Sequence, residues 1–205
     1  MKSTIHEFQK SNLKTMSKNL KTIAIALLVA FSTAAVNAQT KKVDAAKSKI
    51  TWVGKKVSGQ HEGTVALKDG ALVFKGAKLT GGTFTVDMTS IKTTDLTAEQ
   101  GGDKLNGHLK SADFFGAEKY PTSTLVFKKI ADKGNGVYTV TADLTIKDKT
   151  NPVTFDIAVK GNSATTKFNI DRTKYDIKYN SGNFFQNLGD KVINDEFELS
   201  AAIQF

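Results

Sequence analysis

From residue 49 to the end of the chain, apolar and polar residues alternate with a period of two in one short segment after another. In residues 138–146 and 153–159 almost every second residue is apolar, and Thr or Asp lies between. Such alternation is typical of strands with one buried and one solvated face. Turns rich in Gly and Asn separate the segments, and no rhythm of strands with long helices appears. The sequence therefore predicts an all-β fold of eight or nine antiparallel strands.

An open sheet of this size would leave two edges that pair readily with other chains. Closure into a barrel removes both edges and encloses the apolar faces. A barrel of about eight strands has an interior that side chains fill or that holds one ligand. Within it, Lys68-Asp69-Gly70 is a typical hairpin signal, so we expect the chain to turn there between two strands.

One segment departs from the strand pattern. Apolar residues at helical spacing, followed by two phenylalanines, a glycine and a proline, predict a short helical insertion around residues 103–115. A single apolar helical turn inside a β chain must pack against the rest, so we expect it at the mouth or flank of the barrel. Its apolar positions are Leu105, Leu109, Ala112, Phe114 and Phe115.

The N-terminal segment has a different composition. A lysine-containing stretch precedes an apolar run over residues 23–36, and Val36-Asn37-Ala38 has the pattern of a cleavage site. This order is that of a secretory signal peptide. A membrane anchor is the alternative, but the run is shorter than the ~20 apolar residues of a spanning helix. We expect a leader over residues 1–38, cleavage after Ala38, and a single exported domain over residues 39–205.

The charged residues and histidines indicate neither a nucleic-acid partner nor an enzyme. The net charge of +9 falls to +5 without the predicted leader, and the lysines are interspersed with acids rather than clustered. The predicted domain has two histidines, His61 and His108, no cysteine, and no HExxH, P-loop or GxSxG pattern. No carboxylates at metal-ligand spacing accompany the histidines, so we expect no metal and no cofactor. An enzyme that uses His61 or His108 stays open as an alternative.

Arg172 is the only arginine in the chain, against 28 lysines. A guanidinium makes planar, bidentate contacts that an ammonium does not. We expect Arg172 to be partly buried near a barrel end and paired with a carboxylate. Asp171 points to the opposite strand face, so Asp190 and Asp195 are the candidate partners. The alternative is that Arg172 contacts an anionic head group.

The inward-facing aromatic and aliphatic residues either fill the core or line an elongated lumen, and the sequence leaves both readings open. Trp52 is expected to plug the core. If there is a lumen, His108 and Arg172 are the candidate head-group residues. The candidate lining residues are Phe84, Val86, Met88, Phe114, Phe115, Phe127, Tyr138, Val140, Phe155, Phe168 and Phe197.

Several segments resemble the YceI-like family of lipid-binding proteins, from about residue 43 to the C-terminus. They include the block HLKSADFF at residues 108–115, the segment FTVDMTSI at residues 84–91, and Ile170-Asp171-Arg172. The resemblance implies an extended, lipocalin-like antiparallel barrel of eight strands with a helical insertion. It also implies a periplasmic, non-enzymatic protein that binds or carries a long amphiphile, such as a polyisoprenoid of the quinone or prenyl pyrophosphate type.

The sequence leaves one further fold alternative and two kinds of partner open. The chain ends in Phe205 behind alternating apolar residues, as strands of outer-membrane β-barrels do. Against that alternative, the strands carry many Lys and Asp residues, and several are shorter than the ~9–11 residues of a membrane strand. Transient contact with a membrane and a homodimer both stay open.

Overall fold

The computed structural model describes residues 37–205. They contain nine antiparallel strands and one α-helix, joined by turns and longer connections. The predicted leader up to residue 36 lies outside the described residues, so the signal peptide stays a prediction. The elements are β1 (Ala38–Lys42), β2 (Lys49–Lys56), β3 (Gly59–Lys75), β4 (Lys78–Thr93), α1 (Gly102–Lys110), β5 (Thr122–Gly134), β6 (Val137–Ile146), β7 (Lys149–Lys160), β8 (Ser163–Asp171) and β9 (Ile193–Gln204).

Strands β2 to β9 close into an eight-stranded barrel. Neighbours follow the order β3-β2-β9-β8-β7-β6-β5-β4, and pairing of β4 with β3 completes the ring. The long β3 is flanked along one edge by β2 in its first half and by β1 in its second half, at residues 71–75. Every pairing is antiparallel, so the predicted all-β barrel with a short helical insertion is confirmed.

Period-two alternation places the core inside the barrel. Along β6, the even-numbered residues from Tyr138 to Ile146 are buried, and the residues between them are partly exposed. On the outer face, threonine and aspartate side chains bond across strands, as between the Thr139 hydroxyl and Asp156 Oδ1 at 2.7 Å. Such cross-strand pairs add to the stability of a sheet. The polar positions of the pattern therefore face solvent and the apolar ones face the barrel axis.

The prediction of a hairpin at Lys68-Asp69-Gly70 is wrong. β3 runs through these residues without turning, and its register against β4 shifts between Leu67 and Asp69. One extra residue on one strand is a β-bulge, a feature that bends a long strand. Gly70 is needed there because a Cβ atom would lie 2.7 Å from the Phe84 ring. The turn itself follows at Gly76, where φ is +62°.

The connections divide the barrel into two unlike ends. We call the end with the turns at residues 76–77, 135–136 and 161–162 the hairpin end. The opposite end, with the long connections at residues 94–121 and 172–192, is the loop end. Helix α1 lies at the loop end. In the described part of the chain, no helix has the length and apolarity needed to cross a membrane.

Candidate functional site

An elongated cavity lies inside the barrel and reaches the surface at the loop end. Its volume is about 210 Å³, and all eight barrel strands contribute side chains to its wall. Because the inward positions of these strands are nearly all apolar, the wall offers dispersion contacts and few polar groups. This composition is typical of pockets that hold small hydrophobic molecules.

Nine of the eleven predicted lumen residues line this cavity. They come from five different strands and from the turn after α1, so the barrel brings together residues that are far apart in sequence. The nine are Phe84, Val86, Met88, Phe114, Phe115, Phe127, Phe155, Phe168 and Phe197.

The other two predicted lumen residues, Tyr138 and Val140, do not line the cavity. They share the inward face of β6 with Leu144 and Ile146, which do line it. However, neighbouring side chains cover them, although their partners on β7, Ile157 and Phe155, do line the cavity. Val140 has no exposed surface, and the Tyr138 hydroxyl lies 3.5 Å from the carbonyl oxygen of Ala77 in the β3–β4 turn. The alternation predicted their face correctly but not that neighbouring side chains separate them from the cavity.

Helix α1 and the turns after it cover the loop end. The backbone N–H of Ser111 donates to helix carbonyls, and its hydroxyl donates to the carbonyl of His108 at 2.8 Å, so the helix stops there. Phe114 and Phe115 therefore lie in turns rather than in the helix. Both are buried, and the Phe115 ring meets Phe197 edge to face at 6.2 Å. They form the part of the cavity wall that belongs to the loop end.

The Arg172 side chain joins the β8–β9 connection to the start of β9 at the loop end. It is 2% exposed, and the Nε atom donates to the Asn194 carbonyl at 3.0 Å. One Nη atom donates to the Ile177 carbonyl at 2.8 Å, and the other donates to the Ile193 carbonyl at 2.9 Å and to Asp195 Oδ1 at 3.3 Å. Burial lowers the pKa of the guanidinium, and the Asp195 carboxylate opposes that effect. The expected burial and the expected pairing with Asp195 are confirmed.

This geometry favours a structural role for Arg172 over head-group contact. Four of the five N–H donors of a guanidinium are used by protein atoms. Two of the carbonyls they satisfy, those of Ile193 and Asn194, lie where β9 is irregular, because its register against β2 shifts between Gly54 and Lys56. Two extra residues of β9 leave backbone oxygens without ladder partners, and a buried carbonyl without a partner is costly. Arg172 supplies the missing donors, although its side chain also lies in the cavity wall.

His108, the other predicted head-group residue, does not line the cavity. Its ring packs edge-on against Phe114, at 5.2 Å between centroids, and against Tyr179 at 4.5 Å. Its Nε2 atom is buried and has no hydrogen-bond partner among residues 37–205. The side chain therefore joins α1 to the connection at residues 172–192, because the helix presents it to that connection and not to the barrel axis.

Apart from the buried indole N–H of Trp52, which has no hydrogen-bond partner among residues 37–205, the polar lining groups with free bonding capacity lie at the mouth of the cavity. Deeper in the wall, the Ser123 hydroxyl donates to the Thr145 carbonyl at 2.8 Å, and the Thr166 hydroxyl donates to the Asp156 carbonyl at 2.6 Å. Arg172 is engaged as described above. The remaining polar lining residues are Lys55, Lys56, His61 and Asn194.

His61 is held at the mouth by Asp95. The two side chains meet at 2.9 Å between Nδ1 and Oδ2. Asp95 also accepts hydrogen bonds from the Thr93 hydroxyl and from the backbone N–H of Glu62 at 3.3 Å. Burial by itself would raise the pKa of Asp95, but the hydrogen bonds outweigh it and the pKa lies below its usual value. Nε2 is then the ring nitrogen of His61 with bonding capacity. Residues 37–205 contain no group of three or more side chains suited to a metal ion.

Comparisons with known proteins agree with this architecture. The family model of the YceI-like domain matches residues 42–205. A UPF0312 protein of Shewanella denitrificans is 37% identical over 86 residues, 42% of each chain, and the chain spans about two fifths of the length of the first curated relatives it matches. The crystal structure of Burkholderia cenocepacia BcnA is similar with a TM-score of 0.62 and 26% identity, over 78% of this chain and 98% of that one. A polyisoprenoid binding domain from Saccharophagus degradans has a TM-score of 0.55 at 13% identity, over 82% and 97% of the two chains, which shows the shared fold alone.

Proposed function

This chain belongs to the family of YceI-like domains, and on that premise we propose that it is an exported, periplasmic protein that binds and carries a polyisoprenoid lipid. The observation that supports this most directly is the elongated apolar cavity, enclosed by a barrel and open at one end. The similar fold of a polyisoprenoid binding domain supports the ligand class. The proposed role is binding without chemical conversion.

The cavity wall suits the tail of such a lipid. Burying a methylene group in an apolar environment stabilises a complex by ~0.8 kcal/mol, so affinity for the tail needs no polar groups in the wall. A water-sized group needs about 10–15 Å³ of cavity volume. The cavity of about 210 Å³ therefore holds roughly 15 to 20 such groups. That corresponds to about three or four isoprene units inside the barrel. A longer tail would extend through the mouth or require the wall to move.

The polar groups at the mouth suit an anionic head. Lys55 and Lys56 are exposed cations in the cavity lining, and His61 and Asn194 lie beside them. Charge-assisted hydrogen bonds from ammonium groups to phosphate are stronger than bonds between neutral groups. We therefore place a phosphate or pyrophosphate head at Lys55 and Lys56, and not at His108 or Arg172 as the sequence suggested. A neutral quinone would bind through its tail alone.

The outer surface of the barrel argues against the alternative of an outer-membrane barrel. The outward positions of β6 and β7 carry Thr139, Asp143, Thr154 and Asp156, all in mid-strand. A membrane barrel needs an apolar outer band about 25 Å tall, with a polar interior. Here the apolar residues face inward, which is the opposite arrangement.

The histidines and hydroxyls also support binding over catalysis. His108 is packed between rings, and the Nδ1 atom of His61 is held by Asp95. The two hydroxyl groups in the cavity wall, on Ser123 and Thr166, donate to backbone carbonyls. A nucleophile activated by an adjacent base is therefore not assembled at this cavity.

Trp52 provides a direct test, because it is the only tryptophan in the chain and lines the cavity. Delipidated protein is titrated with prenyl phosphates of increasing length and with a prenyl chain that carries a bromine quencher. We expect saturable quenching at one chain per protein and an affinity that rises up to about four isoprene units and then levels off. The absence of both quenching and a lipid adduct in native mass spectrometry would refute the proposal.

A further inference from the structure

Exposed apolar side chains concentrate around the mouth of the cavity. Five large apolar residues are substantially exposed among residues 37–205, and four of them lie at the loop end. Three belong to the connection between β8 and β9, and one lies in the turn after β2. Val126, on the barrel wall, is the exception. The four, which we call the aromatic rim, are Val57, Tyr179, Phe184 and Phe185.

The aromatic rim is fixed to the mouth by backbone hydrogen bonds. The N–H of Val57 donates to the carbonyl of Val192 at 3.2 Å, which joins the β2–β3 turn to the β8–β9 connection. The N–H of Ile193 donates to the carbonyl of Asn180 at 2.9 Å, and the backbone N–H groups of Phe184 and Phe185 donate to Ser181. Ile193 also lines the cavity. The rim therefore lies beside the opening, and a surface that contacts the rim lies close to the opening.

Four lysines lie at the same end as these apolar residues, and one of them, Lys178, is paired with Asp176 at 2.9 Å. The Nζ atom of Lys178 lies 5.0 Å from the ring centroid of Phe184. Lys191, Lys55 and Lys56 are exposed at the same end, and none has a carboxylate within 4.0 Å among the described residues. Aromatic rings beside lysines are typical of surfaces that rest at the boundary between water and lipid. Phe184 and Phe185 each expose half of their surface, and an exposed apolar patch is unfavourable in water unless something covers it.

We propose that the aromatic rim docks transiently on an anionic lipid bilayer, with Phe184 and Phe185 inserted between head groups and the lysines on anionic lipids. In this position the cavity mouth faces the bilayer, and a prenyl chain passes between the two without crossing water. A second copy of the chain fits this surface less well. A two-fold contact brings the same patch of both subunits together, so the lysines would face one another. The purpose of the docking rests on the proposed function, but its test does not.

The test is flotation of the protein with vesicles of phosphatidylcholine, with and without phosphatidylglycerol. The wild type is expected to float with the anionic vesicles and to be released by salt, because surface charges are screened at high ionic strength. Phe184→Ser/Phe185→Ser is expected to lower the partition by about tenfold. The matched control is Val126→Ser, which removes an exposed apolar residue away from the rim and is expected to stay within about twofold of the wild type.

Three results would overturn the docking proposal. The first is a wild type that ignores anionic vesicles, and the second is a double variant that floats like the wild type. The third is a wild-type dimer in sedimentation velocity that the double variant loses, which would assign the rim to self-association. Uptake of a dispersed prenyl phosphate separates this proposal from the proposed function, because neither phenylalanine lines the cavity. Uptake that is normal in the double variant shows that it is folded, and vesicle binding without any uptake by the wild type would refute the carrier function alone.

Discussion

The two ends of the barrel are built from the same strands but use them differently. At the hairpin end, side chains meet across the axis and fill it. Leu72, Val140 and Ala142 have no exposed surface there, and Phe74 packs against Phe205 at 5.7 Å between centroids. Toward the loop end, the strands enclose the cavity, and the closing groups come from long connections.

The difference shows how one closed sheet separates stability from function. Tight turns leave the strands close enough to fill the hairpin end, whereas residues 94–121 and 172–192 have enough length to form walls, a mouth and an exposed rim. Functional groups in proteins concentrate on loops that a rigid scaffold positions. Substitutions at the hairpin end should therefore change stability alone, and substitutions at the loop end should change binding as well.

The largest expected effect comes from Phe114→Ala/Phe115→Ala at the loop end. Replacing one buried phenylalanine by alanine typically costs ~3–5 kcal/mol, and these two also form cavity wall. We expect urea denaturation to show a loss of at least that size and the quenching titration to show a loss of binding. Leu72→Ala is the control at the hairpin end. It should cost ~2–5 kcal/mol and leave the prenyl dissociation constant unchanged at temperatures where the variant is folded.

If the double variant melts and binds like the wild type, the loop end does not depend on the turn after α1. If Leu72→Ala weakens binding while it is folded, the two ends are coupled through the wall, and their separation into stability and function is wrong.

The next effect in size concerns Arg172→Lys. Lysine keeps the charge but has one nitrogen, so it cannot reach the three carbonyls and the carboxylate that the guanidinium bonds. Hydrogen bonds to charged groups contribute about 1.5–3 kcal/mol each, so we expect a loss of about 2–3 kcal/mol in urea denaturation. Affinity should change little for a prenyl pyrophosphate and for a neutral quinone. A selective loss of the pyrophosphate ligand would assign Arg172 to the head group instead.

The matched control for Arg172 is an exposed pair on the outer face toward the hairpin end. Lys133 meets Asp156 at 2.8 Å, and both side chains are about half exposed. Exposed ion pairs contribute little because solvent screens them. Lys133→Ala should therefore leave the denaturation midpoint almost unchanged, which confirms that burial and not charge alone gives Arg172 its effect.

The sequence predicted the barrel because strand alternation has a period of two, and each inward residue is then assigned to a face. It did not predict which inward residues reach the cavity, since Tyr138 and Leu144 share one face of β6 but only Leu144 lines the cavity. It also did not separate a bulge from a hairpin at Gly70, because Asp-Gly is favourable in both. These distinctions depend on contacts with Phe84 and Ala77, which are distant in sequence.

The candidate site was partly predictable for the same reason. The aromatic wall follows from strand faces, whereas the mouth depends on how loops dock. The sequence makes His108 a candidate head-group residue, but the helix directs its side chain toward Tyr179. Lys55 and Lys56 line the cavity but are not among the residues that the sequence predicts. Their signal was a pair of adjacent lysines that ends the alternation of β2.

A smaller effect is expected for Lys55→Gln/Lys56→Gln at the mouth. Both side chains are exposed, so stability should not change, but a phosphate head would lose its charge-assisted contacts. We expect affinity for a prenyl phosphate to fall by about tenfold, equivalent to ~1.4 kcal/mol, and affinity for a neutral quinone to stay constant. The charge-matched control is Lys128→Gln/Lys129→Gln on β5, which lies outside the cavity lining. Equal losses for the two ligands, or an equal loss in the control, would remove the head group from the mouth.

The smallest expected effect is on the pH dependence of stability. It is measured for one carboxylate at the mouth, Asp95, and for one on the outer face near the hairpin end, Asp156. The pKa of Asp95 is lowered in the fold, because hydrogen bonds from Thr93, His61 and Glu62 outweigh burial. A lowered folded pKa contributes stability above the unfolded value of ~3.9 and loses it as pH falls through the folded pKa. Asp95→Asn should therefore cost up to about 1 kcal/mol at neutral pH, since solvent screens a partly exposed group. The gap from wild type should begin to narrow below about pH 4 and should narrow further as the pH falls through the lowered folded pKa.

Asp156→Asn is the matched variant for this comparison. The pKa of Asp156 is also lowered, first by its hydrogen bond with Lys133 and then by the one from Thr139, but its side chain is more exposed than that of Asp95. Its stability gap should be smaller than that of Asp95, and added salt should reduce it further because the Lys133 pair is screened. Urea denaturation between pH 3 and 7, at two salt concentrations, measures both gaps. If the Asp156 gap equals or exceeds the Asp95 gap, the hydrogen-bonded mouth contributes no more than a surface pair, and the electrostatic difference between the two ends disappears.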